Sequence, residues 1–290
     1  MASTQLLKSR IRSVRSTRQI TKAMQLVAAS KMRRAQEATK ATSAYTQAAW
    51  ELLNNLSTRA SVKRHPLFAQ RPVKTRLLIV IASDKGLAGA YNSNVTKIYI
   101  NELKADDKAG IKNKTITIGR KASQFAARLK DTEVIGAYEE LPDQPDGSEL
   151  RAILDTARVH FTSGEVDAVD VIYTDFINSI TQTATVMRVL PAGSSLTLTD
   201  DVVAGDVTYE PGTVEVLDSV TYRLVGAQIY QALLDARASE HSMRMIAMKN
   251  ASDNASDLID DLTLEMNKAR QSAITQELAE ISGGVEALNE

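Results

Sequence analysis

The amino-acid sequence predicts an α/β protein in which the N- and C-terminal segments form a long antiparallel coiled coil around a central Rossmann-like domain with a mainly parallel sheet. Three observations predict it. The first glycine is Gly86 and the first proline Pro66, while residues 213–282 contain no proline and a single glycine, Gly226. Proline and glycine interrupt helices, at costs of about 3 and about 1 kcal/mol relative to alanine, so each end can run as one helix. Between the ends, residues 72–212 hold ten of the thirteen glycines, and there strand-like and helix-like runs alternate, as in a parallel sheet covered by helices. Finally, residues 1–40 carry a net charge of +9 and residues 215–290 a net of −7, so the two helical ends are of opposite sign although the whole chain is neutral.

The N-terminal helix, expected within residues 1–62, has a three/four spacing of apolar or small residues: Leu7, Ile11, Val14, Ile20, Met24, Val27, Lys31, Ala35, Ala38, Ala41, Tyr45, Ala49, Leu52 and Leu56. The C-terminal helix, expected over 213–290, gives Leu217, Val220, Leu224, Ala227, Leu234, Ala238, Met245, Met248, Ala255, Ile259, Leu262, Met266, Ala269 and Ala273. These read as narrow coiled-coil seams, with small residues that let the backbones approach closely. At 1.5 Å per residue the helices could reach about 80 and about 100 Å, more than a central domain of about 30–40 Å can cover, so they would project from it together. Antiparallel pairing sets the basic start against the acidic finish, a pattern that selects register more than it adds stability, since exposed ion pairs contribute about 0–1 kcal/mol.

Within the central domain, expected over residues 72–212, Thr75–Ala82 reads as a buried strand, followed by a Gly-rich turn and a helix over Asn92–Lys104. Thr115–Ile118 and Val134–Tyr138 are further strands, with a helix between them over Lys121–Leu129. A Pro/Asp/Gly-rich loop precedes a helix over Ser148–Phe161; Val169–Tyr173 and Ala184–Leu190 complete the strands. The last two are joined without room for a helix, so one edge is expected to be antiparallel. Residues 191–212 read as a loop.

Little of this points to catalysis. The chain has no cysteine, which excludes disulfides, thiolate metal sites and a cysteine nucleophile. His65, His160 and His241 have no metal-ligand spacing, and no G-x-S-x-G run supports a serine hydrolase. The turn Ser83–Asn92 sits where phosphate-binding loops sit, but it matches neither G-x-x-x-x-G-K-[ST] nor G-x-G-x-x-G. Gly86 and Gly89 are read instead as a tight turn and a close helix–sheet approach. No run reaches 18 apolar residues and the start has no apolar signal core. The basic first helix could contact nucleic acid, but aromatics are nearly absent there, the seam runs through it, and an acidic helix is available as its partner.

Three motif groups resemble a known family. Gln19–Met32 (QITKAMQLVAASKM) resembles the N-terminal helix of the gamma subunit of F-type ATP synthases of the bacterial type, and Ser83–Asn92 (SDKGLAGAYN) resembles its central glycine motif. Ala238–His241 with Arg244 and Met245, Met248–Ala251, Lys268–Gln271 and Ile274–Glu280 resemble its C-terminal helix. One position departs: Val285, where the family's closing signature has alanine after Gly284. The resemblance implies a non-catalytic rotor shaft, one copy per complex, without cofactor or nucleic acid. Its helical pair would stand within three alpha and three beta subunits, which carry the catalytic sites on beta. Its head would contact the epsilon subunit and the membrane c-ring, so that proton- or sodium-driven turning is coupled to ATP synthesis. It also implies that Met24, Lys31 and Arg34, with the Asp84, Lys85 and Ala88 turn, lie near an acidic lever segment of beta. Arg244 and Gln271 would catch loops of the ring, with Thr275, Glu277 and Glu280 nearby. The location implied is peripheral, at the cytoplasmic face of a bacterial membrane. A free coiled-coil adaptor using the basic helix, or a nucleotide-dependent α/β enzyme using the Gly turn, are the readings that compete with it.

Overall fold

A computed structural model of the chain describes residues 4–57, 62, 65–129, 132–142, 147–193 and 213–288. In order these form α1 (Thr4–Ser57), β1 (Thr75–Ile81), α2 (Tyr91–Ala109), β2 (Lys112–Ile118), α3 (Arg120–Ala126), β3 (Glu133–Tyr138), α4 (Gly147–Thr162), β4 (Ala168–Phe176), β5 (Gln182–Leu190) and α5 (Thr213–Leu288), with a 3-10 turn at Pro66–Phe68. Of the loops expected from composition, residues 143–146 and 194–212 lie outside the described residues. The chain divides into two compact units: Met1–Ala28 with Met245–Glu290, and Ala29–Arg244.

The larger unit is built on a five-stranded sheet of order β3-β2-β1-β4-β5. β1 pairs in parallel with β2 and β4, and β2 in parallel with β3. β5 runs antiparallel to β4, as expected, because the few residues between them allow a hairpin and no crossover helix. β1 alternates its side chains between two cores: Leu77, Ile79 and Ile81 face the end of α1, α4 and α5, whereas Leu78, Val80 and Ala82 face α2 and α3. That two-sided burial is why its sequence is continuously apolar rather than alternating. Arg76 begins the strand and is buried, with Nε 2.7 Å from Asp106, Nη1 3.0 Å from Asp170 and Nη2 2.8 Å from Glu102. Arg188 of β5 shares Asp170, so one charge network ties α2 to β1, β4 and β5. Burying a guanidinium is tolerable only with such partners.

Two expectations about the helices need correction. The apolar spacing of α5 predicts a narrow seam throughout, yet the eleven residues Ala232–Ser242 are all buried. They pass through the core of the larger unit, so no face of this stretch meets water. In α1 the buried positions repeat every seven residues: Leu7, Thr21, Ala28, Ala35, Ala49 and Leu56 are buried, with Val14 and Thr42 half-buried on the same line. Ile20, Val27, Tyr45 and Leu52, assigned to the seam for their size, are 58, 58, 57 and 43 % exposed. The true seam lies one residue further on at each of these four places and is filled by Thr21, Ala28, Thr46 and Leu53.

In the smaller unit the pairing is antiparallel, as expected. Leu7 and Ile11 of α1 pack with Ile259 and Leu262 of α5, flanked by Val14, Met266 and Ala269. Further along α1, Thr21 meets Ser252 at 2.7 Å, a position earlier on α5. The seven-residue line of α5 runs through Met248, Ala255, Leu262 and Ala269; Ala273, expected in the seam, is exposed.

Candidate functional site

In open α/β sheets, ligands bind outside the carboxyl ends of the strands where the order of connections reverses. Here that point lies between β1 and β4, and α5 itself occupies it. On one side stands the turn after β1, on the other the β4–β5 hairpin.

The turn is held by its own side chains. Asn92 Oδ1 accepts from the Ser83 backbone N–H at 3.1 Å, and the Ser83 hydroxyl donates to the Lys85 carbonyl at 2.7 Å. Asp84 Oδ1 accepts from the backbone N–H groups of Arg120 and Glu140, both at 3.0 Å, while Oδ2 faces Arg237 at 3.6 Å. From α5, Arg237 also donates to the Leu141 carbonyl at 2.9 Å and pairs with Glu240 at 3.2 Å. Arg244 pairs with the other Glu240 oxygen at 2.8 Å and donates to the Lys85 and Gly86 carbonyls at 3.1 and 3.4 Å. Beneath them Tyr91 is buried; desolvation, aided by Glu240, pushes its phenol well above its ordinary pKa against the opposing pull of Arg237 and Arg244. On the opposite side of α5, Ser239 donates to the Thr174 carbonyl at 3.2 Å and Ser242 to that of Ser179 at 2.7 Å. Gln36 of α1 donates to the Ser179 hydroxyl at 3.3 Å, completing the hold on the hairpin. The result is a helix clamped by two loops that are themselves rigidly bonded.

The residues implied by resemblance divide between the two units. In the larger one, Asp84, Ala88 and Arg244 face inward: Ala88 is buried under the turn, and Asp84 and Arg244 are engaged as above. Lys85 is exposed, as is Arg34, which donates to Ser30 at 3.4 Å; Lys31 is half-buried. In the smaller one, Met24 is half-buried, and Gln271, Thr275, Glu277 and Glu280 line exposed stretches of α5. There Thr275 donates to the Gln271 carbonyl at 2.9 Å and Gln276 to Glu280 at 3.0 Å.

Sequence reasoning missed the grip residues Arg237 and Glu240, and three exposed apolar side chains on the larger unit: Leu87 at 63 %, Ile177 at 59 % and Ile180 at 85 %. Leu87 sits in the turn with φ 62°, a left-handed conformation that a leucine adopts only at a cost. Gly89 takes a positive φ of 55° beside it, whereas Gly86 has open space where a side chain would lie, so Gly86 is not needed for close packing. Ile177 and Ile180 flank Asn178, whose Oδ1 accepts from the Ile180 and Thr181 N–H groups at 2.9 and 2.8 Å. Isoleucines beside an Asn-Ser turn were the available signal. The smaller unit likewise exposes Ile20, Leu26, Val27, Leu264, Ile274, Leu278 and Ile281. Apolar side chains exposed in such numbers along helices mark a surface that other chains cover. The larger unit also has a groove of about 1130 Å³ between α1, α4 and α5, lined by Tyr45, Arg151, Arg158 and Tyr222 among others.

These features define a class: an interaction protein whose α/β head grips its own C-terminal helix and whose helices carry uncovered apolar side chains. The chain belongs to the ATP synthase gamma-chain family. The ATP synthase family profile matches residues 3–288. The ATP synthase gamma chain of Stenotrophomonas maltophilia (strain R551-3) is 41 % identical over 99 % of this chain and 100 % of the relative. That of Opitutus terrae is 40 % identical over 97 % of each. Among solved structures, a chain of the central stalk and c-ring of the Tetrahymena thermophila mitochondrial ATP synthase is 26 % identical, with a TM-score of 0.61 over 80 % of this chain and 99 % of that one. A chain of the Euglena gracilis mitochondrial ATP synthase, 17 % identical, shares the fold with a TM-score of 0.68 over 98 % of this chain and 94 % of that one.

Proposed function

We propose that this chain is the central rotor subunit of an F-type ATP synthase. One copy turns within three alpha and three beta subunits, while its head is driven through the epsilon subunit and the c-ring. It performs no catalysis; by presenting a different face to each beta subunit it shifts the catalytic sites between states of different nucleotide affinity. The observation that carries this reading is the clamp on α5. A head that only rested on the helix would slip under torque; Arg244, Arg237, Ser239 and Ser242 bond the helix from opposite sides.

The ring-facing surface is proposed to comprise Met24, Lys31 and Arg34 on α1, the Asp84–Ala88 turn, and Arg244, Gln271, Thr275, Glu277 and Glu280 on α5. Within the turn, Lys85 and Leu87 make the contact and Asp84, Ala88 and Arg244 hold them in place. The family resemblance supports a peripheral subunit of a membrane-associated complex, proposed to lie at the cytoplasmic face of a bacterial membrane; no helix among the described residues is long and apolar enough to cross a membrane.

The test is reconstitution of the complex with Arg244→Glu and, separately, Gln271→Ala. Both variants are expected to assemble with alpha and beta and to hydrolyse ATP while pumping fewer ions per ATP. Unaltered ATP-driven pumping and synthesis in both would sink the assignment of these residues; failure of the wild-type chain to co-purify with alpha and beta would sink the function.

A further inference from the structure

α2 and α3 lie side by side on one face of the sheet. They pack Val95, Tyr99 and Ala122 against Leu78 and Val80 of β1, and the rings of Tyr99 and Phe125 meet edge-on with centroids 6.3 Å apart. Between them runs a groove of about 650 Å³, within the size range of small-ligand sites. Four exposed cations line it: Lys97 and Lys104 from α2, Lys121 from α3 and Arg128 from the turn that follows. No acidic side chain lines it. The acids of α2 are placed elsewhere: Glu102 and Asp106 pair with the buried Arg76 at 2.8 and 2.7 Å, and Asp107 lines a neighbouring groove that shares Lys104. Among the described residues, none of the four cations pairs with a carboxylate.

We propose that this groove binds a soluble oligophosphate, a chain of two or more phosphates, free or carried by a small molecule. Cations held on facing helices repel one another, and a polyanion laid between them turns that repulsion into attraction. Lys97 and Lys104 stand two helical turns apart, about 10 Å along α2, and Lys121 and Arg128 are likewise seven residues apart. Charge spread over that length matches an elongated anion rather than a single compact one. Thr96, Asn101 and Gln124 add hydroxyl and amide donors to the ammonium and guanidinium groups, the donor set that phosphate oxygens accept from. The apolar lining is only Ile100 and Phe125, both half-buried, too little for the apolar core of a protein interface. A groove between two helices admits a chain of phosphates but not the flat face of a bilayer. The proposal stands on the groove alone and does not depend on the rotor reading.

The test uses the full-length chain. Calorimetric titration with inorganic tripolyphosphate is expected to show saturable binding that weakens as salt is added. Sulfate, a compact dianion, is expected to bind about tenfold more weakly or worse. Lys97→Gln with Lys121→Gln is expected to weaken tripolyphosphate binding by about tenfold or more without moving the thermal unfolding temperature. Lys8→Gln with Lys40→Gln removes the same charge from exposed positions of α1 and is expected to leave binding unchanged. Absence of saturable binding, equal weakening in the two double variants, or sulfate binding as tightly as tripolyphosphate would overturn the proposal. So would capture by vesicles of phosphatidylcholine and phosphatidylglycerol of a chain that ignores tripolyphosphate. If the Lys97, Lys121 variant does not fold, lysine acetylation of the wild-type chain read by mass spectrometry decides. Protection of Lys97 and Lys121 by tripolyphosphate supports the site, and unchanged labelling overturns it.

Discussion

Leu87 combines a left-handed backbone with a side chain 63 % exposed, so it gains little from burial to offset its conformation. Natural sequences normally place glycine or asparagine at such a position. Strain held at an exposed turn leads to a hypothesis of contact, because a fixed apolar knob is useful to a partner and useless to the isolated fold. Leu87→Gly relieves the strain but enlarges the freedom of the unfolded chain, and the two effects nearly cancel. Thermal unfolding of the isolated chain should shift by no more than about 0.5 kcal/mol. In the reconstituted complex, ATP-driven ion pumping should fall while hydrolysis continues; full pumping would remove Leu87 from the proposed ring contact. Sequence reading found the turn but not this residue. The motif Ser83–Asn92 is visible as letters, whereas exposure and a positive φ belong to a turn whose backbone is bonded by Ser83 and Asn92 and which Asp84 ties to the N–H groups of Arg120 and Glu140. Arg237 and Glu240 were hidden for a related reason: charged residues on a long helix read as solvated until the surrounding core is known.

At the scale of elements, the helices teach how size misleads. A seven-residue line through Thr21, Ala28, Ala35 and Thr42 packs small side chains, so the backbones come close and larger apolar groups such as Ile20 and Val27 are left outside. Ala35→Leu should force the helices apart and cost about 1–3 kcal/mol in urea unfolding, the usual penalty of overpacking. Ile20→Ser with Val27→Ser should change stability by less than about 0.5 kcal/mol per site, yet weaken assembly with alpha and beta. The reverse ranking would restore the seam read from apolar size. The sheet was far more legible. Leu77–Ala82 announces a doubly buried strand by an apolar run longer than one face requires, and the short link after β4 leaves only a hairpin for β5. Helix pairing was legible in direction but not in register, because alanine and threonine fit a seam and a surface equally well. Gly226 shows the same limit: in the sequence it is a lone flaw in a helix, and in the fold a side chain there would lie 3.1 Å from Leu154 of α4.

At the scale of the whole molecule, the division of labour between helix and head differs from the one composition suggests. Glycine, proline and strand patterning place the head at residues 72–212, with α5 as a separate shaft. The core says that part of α5 belongs to the head: Leu217, Leu224, Val225, Ile229 and Leu233 lie in the same cluster as Leu77, Ile79, Ile81 and Val171, together with Leu53 and Leu56 of α1. Each such side chain contributes about 1.5–3 kcal/mol on burial, so the five from α5 alone account for about 8–15 kcal/mol. That is comparable with the entire net stability of a typical domain, about 5–15 kcal/mol. A fragment of residues 72–212 should therefore lack a cooperative unfolding transition, whereas residues 29–244, the larger compact unit, should unfold cooperatively. Circular dichroism melts and amide exchange of the two fragments decide the matter. Cooperative folding of 72–212 would mean that α5 merely docks on a finished head. A requirement for α5 makes the helix a strand of the head's own logic: the element to be turned cannot be separated from the element that turns it without unfolding both, so torque has no interface at which to slip.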